Sequence, residues 1–323
     1  MVKFYLLFSF LFFLNSCATI PYQPSSEDLL VYIANDDGAV FSQFAPVFAV
    51  EVSAKPYNRI GTPMAYKNVQ KLYVTVDPDK PAVYVERRFF ATEHEEYTNL
   101  IYRIHFPEVP DDLIPFQLTA GKNVGLLVIV TLNHVGQPVL YTTVHTCGCY
   151  LAFFPTNFMS PESYSENWPE NKQKVYGVVL PSFLDLTSFV PAKNKLMFVL
   201  RDRSHRVIDV SLMIDEELHG FNVVKTELYP VTYLEQLPLN GNGTVSFFEQ
   251  TGRQAGYVRD NSKIRERILM SWWAFDWWIG KDKKLGRDKK EPPEFYTSLK
   301  PWARDESDLR DFPTFLKYWG WNL

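Results

Sequence analysis

The most specific chemical pattern in this 323-residue chain is His145-Thr146-Cys147-Gly148-Cys149. Alternate side chains of a β-strand share a face. On a strand the imidazole and the two sulfurs therefore point the same way, with neighbours of the trio roughly 6.5 Å apart at about 3.3 Å per residue. One imidazole and two thiolates suit a soft or borderline metal such as copper(I) or zinc. A closed zinc site takes four ligands, and His105 on another expected strand or His134 in the hairpin turn is a candidate for the fourth, with nothing in the sequence selecting either. A kink at Gly148 opens a second chemistry, a Cys147–Cys149 disulfide engaged in thiol–disulfide exchange. So short a loop is expected to be strained and readily reduced. The third reading is packing alone, with both cysteines in a β core and His145 hydrogen-bonded. The sequence leaves all three open.

A second concentration of chemistry lies near the C-terminus. Seven of the eight tryptophans follow residue 271, and Trp168 is the exception. Trp is amphipathic and suits places where one edge stays wet. Trp272, Trp273, Trp277 and Trp278 either fill a gap against the β body, form an exposed aromatic platform for a ligand such as an envelope glycan, or rest on a membrane surface with Lys281, Lys283, Lys284, Lys289 and Lys290. Asp276 sits among them. If buried, its carboxyl is desolvated and its pKa raised, as in a general acid; otherwise it accepts indole N–H bonds or pairs with an Arg. Arg253, Arg259, Lys263, Arg265 and Arg267 form a candidate anion site or a solvated face.

Other motifs fail on inspection. His94-Glu95-Glu96-Tyr97-Thr98 starts like the zinc-protease helix motif but has Thr98 where the second histidine belongs. There is no Cys-x-x-Cys-His, no Gly-x-Ser-x-Gly elbow and no phosphate-binding Gly-x-x-x-x-Gly-Lys loop. A net charge of −4 carries no basic footprint for nucleic acid.

The elements that position these residues read as mainly β. Short β-branched and aromatic runs broken by Pro, Gly, Asn and Asp predict strands at 47–53, 71–76, 82–90, 100–106, 125–132, 139–151, 174–180, 195–200, 206–214, 223–228 and 244–248. Their spacing predicts a sandwich or partly closed barrel. From about residue 262 the period changes. Ile264, Ile268, Trp272, Phe275 and Ile279 recur at helical spacing, which predicts a helix to Ile279 stopped by Gly280. A helical, Trp-rich C-terminal segment over 251–323 is therefore expected to pack on a β-rich domain over 31–250.

The N-terminus supplies an address. Met1-Val2-Lys3 is cationic, residues 4–14 are apolar except Ser9, and Leu14-Asn15-Ser16-Cys17 follows. This is a secretory signal peptide over 1–16. Cysteine at position 17 makes the segment resemble the lipobox of bacterial lipoproteins, over about 20 residues of the chain. The resemblance implies cleavage before Cys17, diacylglycerol on its sulfur and acylation of its amine. Ala18, rather than Asp, implies the outer membrane, with the body in the periplasm or outside the cell. Each buried methylene contributes about 0.8 kcal/mol, so two or three chains anchor durably where one does not. Residues 17–30 then read as a tether. The leading functional expectation is a non-catalytic envelope lipoprotein that binds a ligand or protein partner. The alternative is a periplasmic metal-binding or thiol-redox protein using His145, Cys147 and Cys149.

Overall fold

β-branched and aromatic runs build one large mixed sheet. The computed structural model describes residues 29–323 except 70, 114, 115, 192, 215 and 241; Cys17 and the expected signal segment lie outside the described residues. In chain order the strands are β1 (Leu29–Ala34), β2 (Val47–Glu51), β3 (Thr62–Lys67), β4 (Leu72–Asp77), β5 (Ala82–Ala91), β6 (Glu96–Val109) and β7 (Gly121–Leu132). There follow β8 (Pro138–His145), β9 (Ala152–Pro155), β10 (Lys172–Val175), β11 (Val178–Pro181), β12 (Asn194–Leu200), β13 (Val207–Ile214) and β14 (Asn222–Pro230). Ten of them pair in the order β13-β12-β2-β1-β14-β5-β6-β7-β8-β9, curled into a half-barrel. The mainly β, partly closed barrel expected from the sequence is therefore the architecture. No helix among the described residues is long and apolar enough to cross a membrane.

Both faces of the sheet are covered, which explains why its central strands read as continuous apolar runs. On β7, Leu126, Val128 and Val130 face the inner core with Tyr102, Tyr141, Phe154 and Phe198. Leu127 and Ile129 face outward, against the C-terminal tail. The gap between the edge strands β9 and β13 is bridged by the β10–β11 hairpin. Gln173 Nε2 donates to Phe153 O at 2.6 Å on β9, and Arg206 donates to Tyr176 O at 3.0 Å from the β13 side. Covering the edges this way removes a template for aggregation.

Several boundaries differ from the sequence reading. The expected strand 139–151 breaks after His145 and resumes at Ala152, because the intervening residues make a tight turn. The expected strand 174–180 is the β10–β11 hairpin. The β-rich part begins at Leu29, inside the expected tether. The helix is shorter, Ile264–Ala274 (α2, following the one-turn α1 at Val40–Gln43); Phe275 adopts a left-handed φ of 50° and ends it. A third helix, α3 (Phe312–Tyr318), is capped by Asp311, which accepts from Thr314 N. Its Phe315 and Leu316, with Trp321 beyond, pack on Phe153 and the outer face of β7–β9. Phe315 is fully buried there. Phe315→Ala is expected to cost about 3–5 kcal/mol in urea denaturation; a loss well under 1 kcal/mol would show that the tail is not part of the core.

Candidate functional site

The turn between β8 and β9 carries the cysteines. Gly148 N donates to His145 O at 2.7 Å and His145 N to Cys149 O at 2.9 Å, folding residues 145–149 back on themselves. Gly148 has a φ of 94°, and a Cβ there would lie 2.3 Å from Tyr296 O, so the position demands glycine. The kink considered from the sequence is thus present, and Cys147 and Cys149 form a disulfide with Cα atoms 5.7 Å apart. The ligand atoms of His145, Cys147 and Cys149 all lie within 4.8 Å of one another. Neither possible fourth histidine joins them. His105 Nε2 accepts from Arg103 Nε at 2.9 Å on the opposite sheet face, and His134 pairs with Glu95 at the far hairpin.

Beneath the turn lies a buried ion pair. Lys263 Nζ is 2.9 Å from Asp282 Oδ2, and both side chains are essentially inaccessible. Asp282 also accepts from Asn261 Nδ2 at 2.8 Å, from Gly125 N at 3.2 Å and from the hydroxyl of Thr146, the residue before Cys147. Lys283 N in turn donates to Thr146 O at 2.8 Å. The carboxylate therefore fixes the position of the turn against β7 and the start of α2. Burial pulls Lys263 down, but the charges of Asp282 and Glu266 outweigh it and hold the ammonium above its ordinary range. Lys283 has no such carboxylate contact. Its ammonium lies 4.0 Å from the Tyr296 ring centroid, and burial pushes its pKa down to about 8.

The disulfide borders a pocket of about 180 Å³ whose walls include Cys147, Cys149, Tyr150, Met270, Tyr296 and Glu266. Glu266 is buried, its Oε2 has no hydrogen-bond partner, and burial raises its pKa against the pull of Lys263. The shift is toward the neutral, proton-bearing form of the carboxyl. Gly280 lets it sit there: a Cβ on Gly280 would lie 2.3 Å from Glu266 Oε2. Glu266 was not legible as a site residue, because the sequence turns it toward solvent if the apolar stripe of α2 faces the core. In the structure that stripe faces outward, and the back of the helix buries Glu266, Ser271 and Ala274.

The other sequence candidates are placed plainly. Asp276 is half-buried and accepts from Trp278 N at 2.8 Å and from the Tyr296 hydroxyl, not from an indole. Trp272, Trp273 and Trp277 are exposed, while Trp278 is half-buried under Lys281. The basic residues at 253–267 do not converge: Arg259 pairs with Glu249, Arg265 with Asp111 and Lys263 with Asp282. A larger cleft of about 700 Å³ lies between β5–β7 and the tail. Several of its charges are engaged, Arg88 with Glu86, Arg310 with Asp308 and Lys289 with Asp305 and Asp311, while Arg87, Arg287 and Asp288 also line it. Compared with family models, with curated proteins and with solved structures, the chain has no significant match.

Two outcomes follow from this geometry. Asp282→Ala leaves Lys263 buried without its counter-charge and is expected to cost about 3–5 kcal/mol, measured by denaturant unfolding. Lys263→Met combined with Asp282→Leu should recover part of that loss, and a double variant as unstable as the single one would contradict the pairing. The second outcome concerns acid. Burial, reinforced by Lys263 at His145 and by His145 at His205, pulls both imidazoles to about 3. Unfolded imidazole titrates near about 6.5, so the unfolded chain binds protons that the native chain refuses. Their contribution is complete above that value and is lost as pH falls through about 3, at up to about 1.4 kcal/mol per pH unit for each ring. His205→Phe should flatten the pH dependence of the melting temperature over this range; an unchanged slope would remove His205 from the account.

Proposed function

We propose that the protein is a lipid-anchored envelope protein whose Cys147–Cys149 pair exchanges disulfide for dithiol with a thiol-bearing partner. The observation that carries this reading is the meeting, in one small pocket, of the cysteine pair and the buried Glu266 carboxyl, whose Oε2 has no hydrogen-bond partner. The same meeting favours chemistry over a packing role for the cysteines and over a purely ligand-binding role for the body. A three-residue loop also gains little as a staple, because the loop entropy removed by a bridge is smallest for the shortest loops.

The exchange balances as follows. A substrate thiolate attacks Sγ of Cys149, the less buried of the two residues. A mixed disulfide forms between substrate and Cys149, and Cys147 leaves as a thiolate that takes the proton of Glu266. The second thiolate of the substrate dithiol then attacks the substrate sulfur of the mixed disulfide. The substrate leaves as a disulfide, Cys149 is released and protonated by water, and Glu266 regains its proton from water. Two electrons pass from the substrate dithiol to the cysteine pair. His145 is neutral at any envelope pH and contributes no cationic stabilisation to either thiolate.

A second reading has an observation of its own. Once reduced, His145, Cys147 and Cys149 present three soft or borderline donors within 4.8 Å, a set suited to copper(I) and one ligand short of closed zinc. Dithiothreitol reduction, followed by alkylation and mass spectrometry, separates the two. Exchange is expected in the folded state, and Glu266→Gln should slow it by roughly a hundredfold, the low end of general acid catalysis. Cys147→Ser with Cys149→Ser should cost no more than about 1–2 kcal/mol. A bridge that yields only when urea unfolds the chain ends the redox proposal. One tightly bound copper(I) per reduced chain, with exchange indifferent to Glu266→Gln, replaces it by the metal site.

A further inference from the structure

The outward face of α2 is the largest unexplained surface feature. Ile264, Ile268, Trp272 and Phe275 recur at helical spacing and form one stripe, with exposures of 55, 66, 69 and 79 %. A folded chain leaves scattered apolar side chains in water without consequence, but a contiguous aromatic stripe on a helix marks something that covers it. Two further segments extend the stripe. Arg265 donates to Asp112 O at 2.6 Å and Gln117 O at 3.2 Å, which brings the exposed Phe116 beside the start of the helix. Arg304 donates to Ala274 O, which brings Trp302, 79 % exposed, beside its end.

We infer that this aromatic face lies in the interfacial layer of the bilayer that carries the Cys17 anchor; the inference rests on the anchoring reading above. The path of the chain favours a bilayer over other occupants. β1 runs parallel to β14, β14 parallel to β5, and β5 antiparallel to β6, itself antiparallel to β7. Leu29 and Gly121 therefore lie at the same end of the sheet. Asn261, three residues before α2, donates to Lys122 O at 2.5 Å, so the helix begins at that end too. Twelve peptide steps separate Cys17 from Leu29 and span at most roughly 40 Å. The lipid and the aromatic helix are thus on one side of the molecule, within reach of one surface.

The chemistry of the rim agrees. Trp side chains favour the headgroup layer, where ring and N–H are both satisfied, and cations beside them meet anionic lipid. The Arg267 guanidinium lies 5.2 Å from the Trp277 ring and Lys281 5.4 Å from that of Trp278. Asp111 neutralises Arg265, so the attraction rests on Arg267, Lys281 and Arg304. The other side of α2 lines the disulfide pocket through Glu266 and Met270. Docking therefore sets the cysteine pair about one helix diameter, some 10 Å, from the bilayer and selects partners held at that membrane.

The test uses the full-length, membrane-purified protein in vesicles of phosphatidylethanolamine and phosphatidylglycerol carrying brominated acyl chains. Tryptophan emission is expected to shift to the blue and to be quenched by the brominated lipid. Trp272→Ser with Trp273→Ser and Trp277→Ser should lose most of that quenching while still sedimenting with vesicles and melting as the parent does. A chain with lipid on Cys17 by mass spectrometry that sediments without being quenched overturns the docking and leaves the anchor standing. An unmodified Cys17 with neither sedimentation nor quenching takes both readings down. Indoles already shielded from acrylamide in a symmetric dimer, or shielded by soluble envelope glycan and not by lipid, overturn the docking in favour of those occupants.

Discussion

The carboxylate of Asp282 is the interaction on which the rest of this structure depends. It sits in the return loop after α2, where three other segments bring it four donors: Gly125 N of β7, the Thr146 hydroxyl of the turn after β8, and Asn261 and Lys263 just before α2. A buried ion pair is weak as a source of stability, since desolvating both charges offsets much of their attraction. Its strength is in specification. Losing Lys263 strands the carboxylate and losing any other donor leaves it under-satisfied in a buried place, so the arrangement in which all four donors meet is favoured. Thr146 is one of those donors and Cys147 is its neighbour, so the geometry of the cysteine turn is inherited from the ion pair rather than from the hairpin. A two-strand hairpin alone would leave residues 146–151 free to vary; the carboxylate, with Lys283 N on Thr146 O, pins them from below.

How far this was legible in the sequence depends on whether the decisive interaction is local. Runs such as 82–90 and 195–200 are strands in the structure because β-branched content and bracketing turn residues act over a few positions. The His-x-Cys-x-Cys trio was legible for the same reason. The run 139–151 misled because it is rich in β-branched and apolar residues, and the glycine that breaks it is required by a φ of 94° and by the close approach of Tyr296, a residue 148 positions away. The central strand β1 was taken in part for tether, since a strand buried on both faces shows no alternation to read. Asp282 and Lys263 carry no sequence signal at all. Each lies in a charged stretch that reads as solvated, and their pairing joins residues 19 apart through a helix whose orientation had first to be known.

That orientation is the most instructive departure. An apolar stripe at helical spacing ordinarily marks the side that faces the core, and the charged side faces water. Here α2 is reversed: Glu266 is buried while Ile264, Ile268 and Trp272 are exposed. Local periodicity correctly identified the helix and wrongly oriented it, because the tertiary partners of the back face, Asp282 with Lys263 and the cysteine turn, are polar. Principles that agree at every level define an ordinary core, and places where they disagree mark sites with another purpose.

The reversal has an energetic logic once the two sides of α2 are considered together. Burying the Glu266 carboxyl without a partner for Oε2, and wetting three indoles, both act against folding. Rotating the helix by half a turn would relieve both at once, placing carboxylate in water and indoles against the sheet. The chain does not take that arrangement, because Asn261 and Lys263 are already committed to Asp282 at the N-terminal end of the helix. A rotation would break the buried ion pair and strand its charges, at a cost of about 3–5 kcal/mol. The ion pair thus stabilises a helix that is locally frustrated on both sides. One side presents an acid to a disulfide, and the other presents tryptophans to whatever surface lies outside.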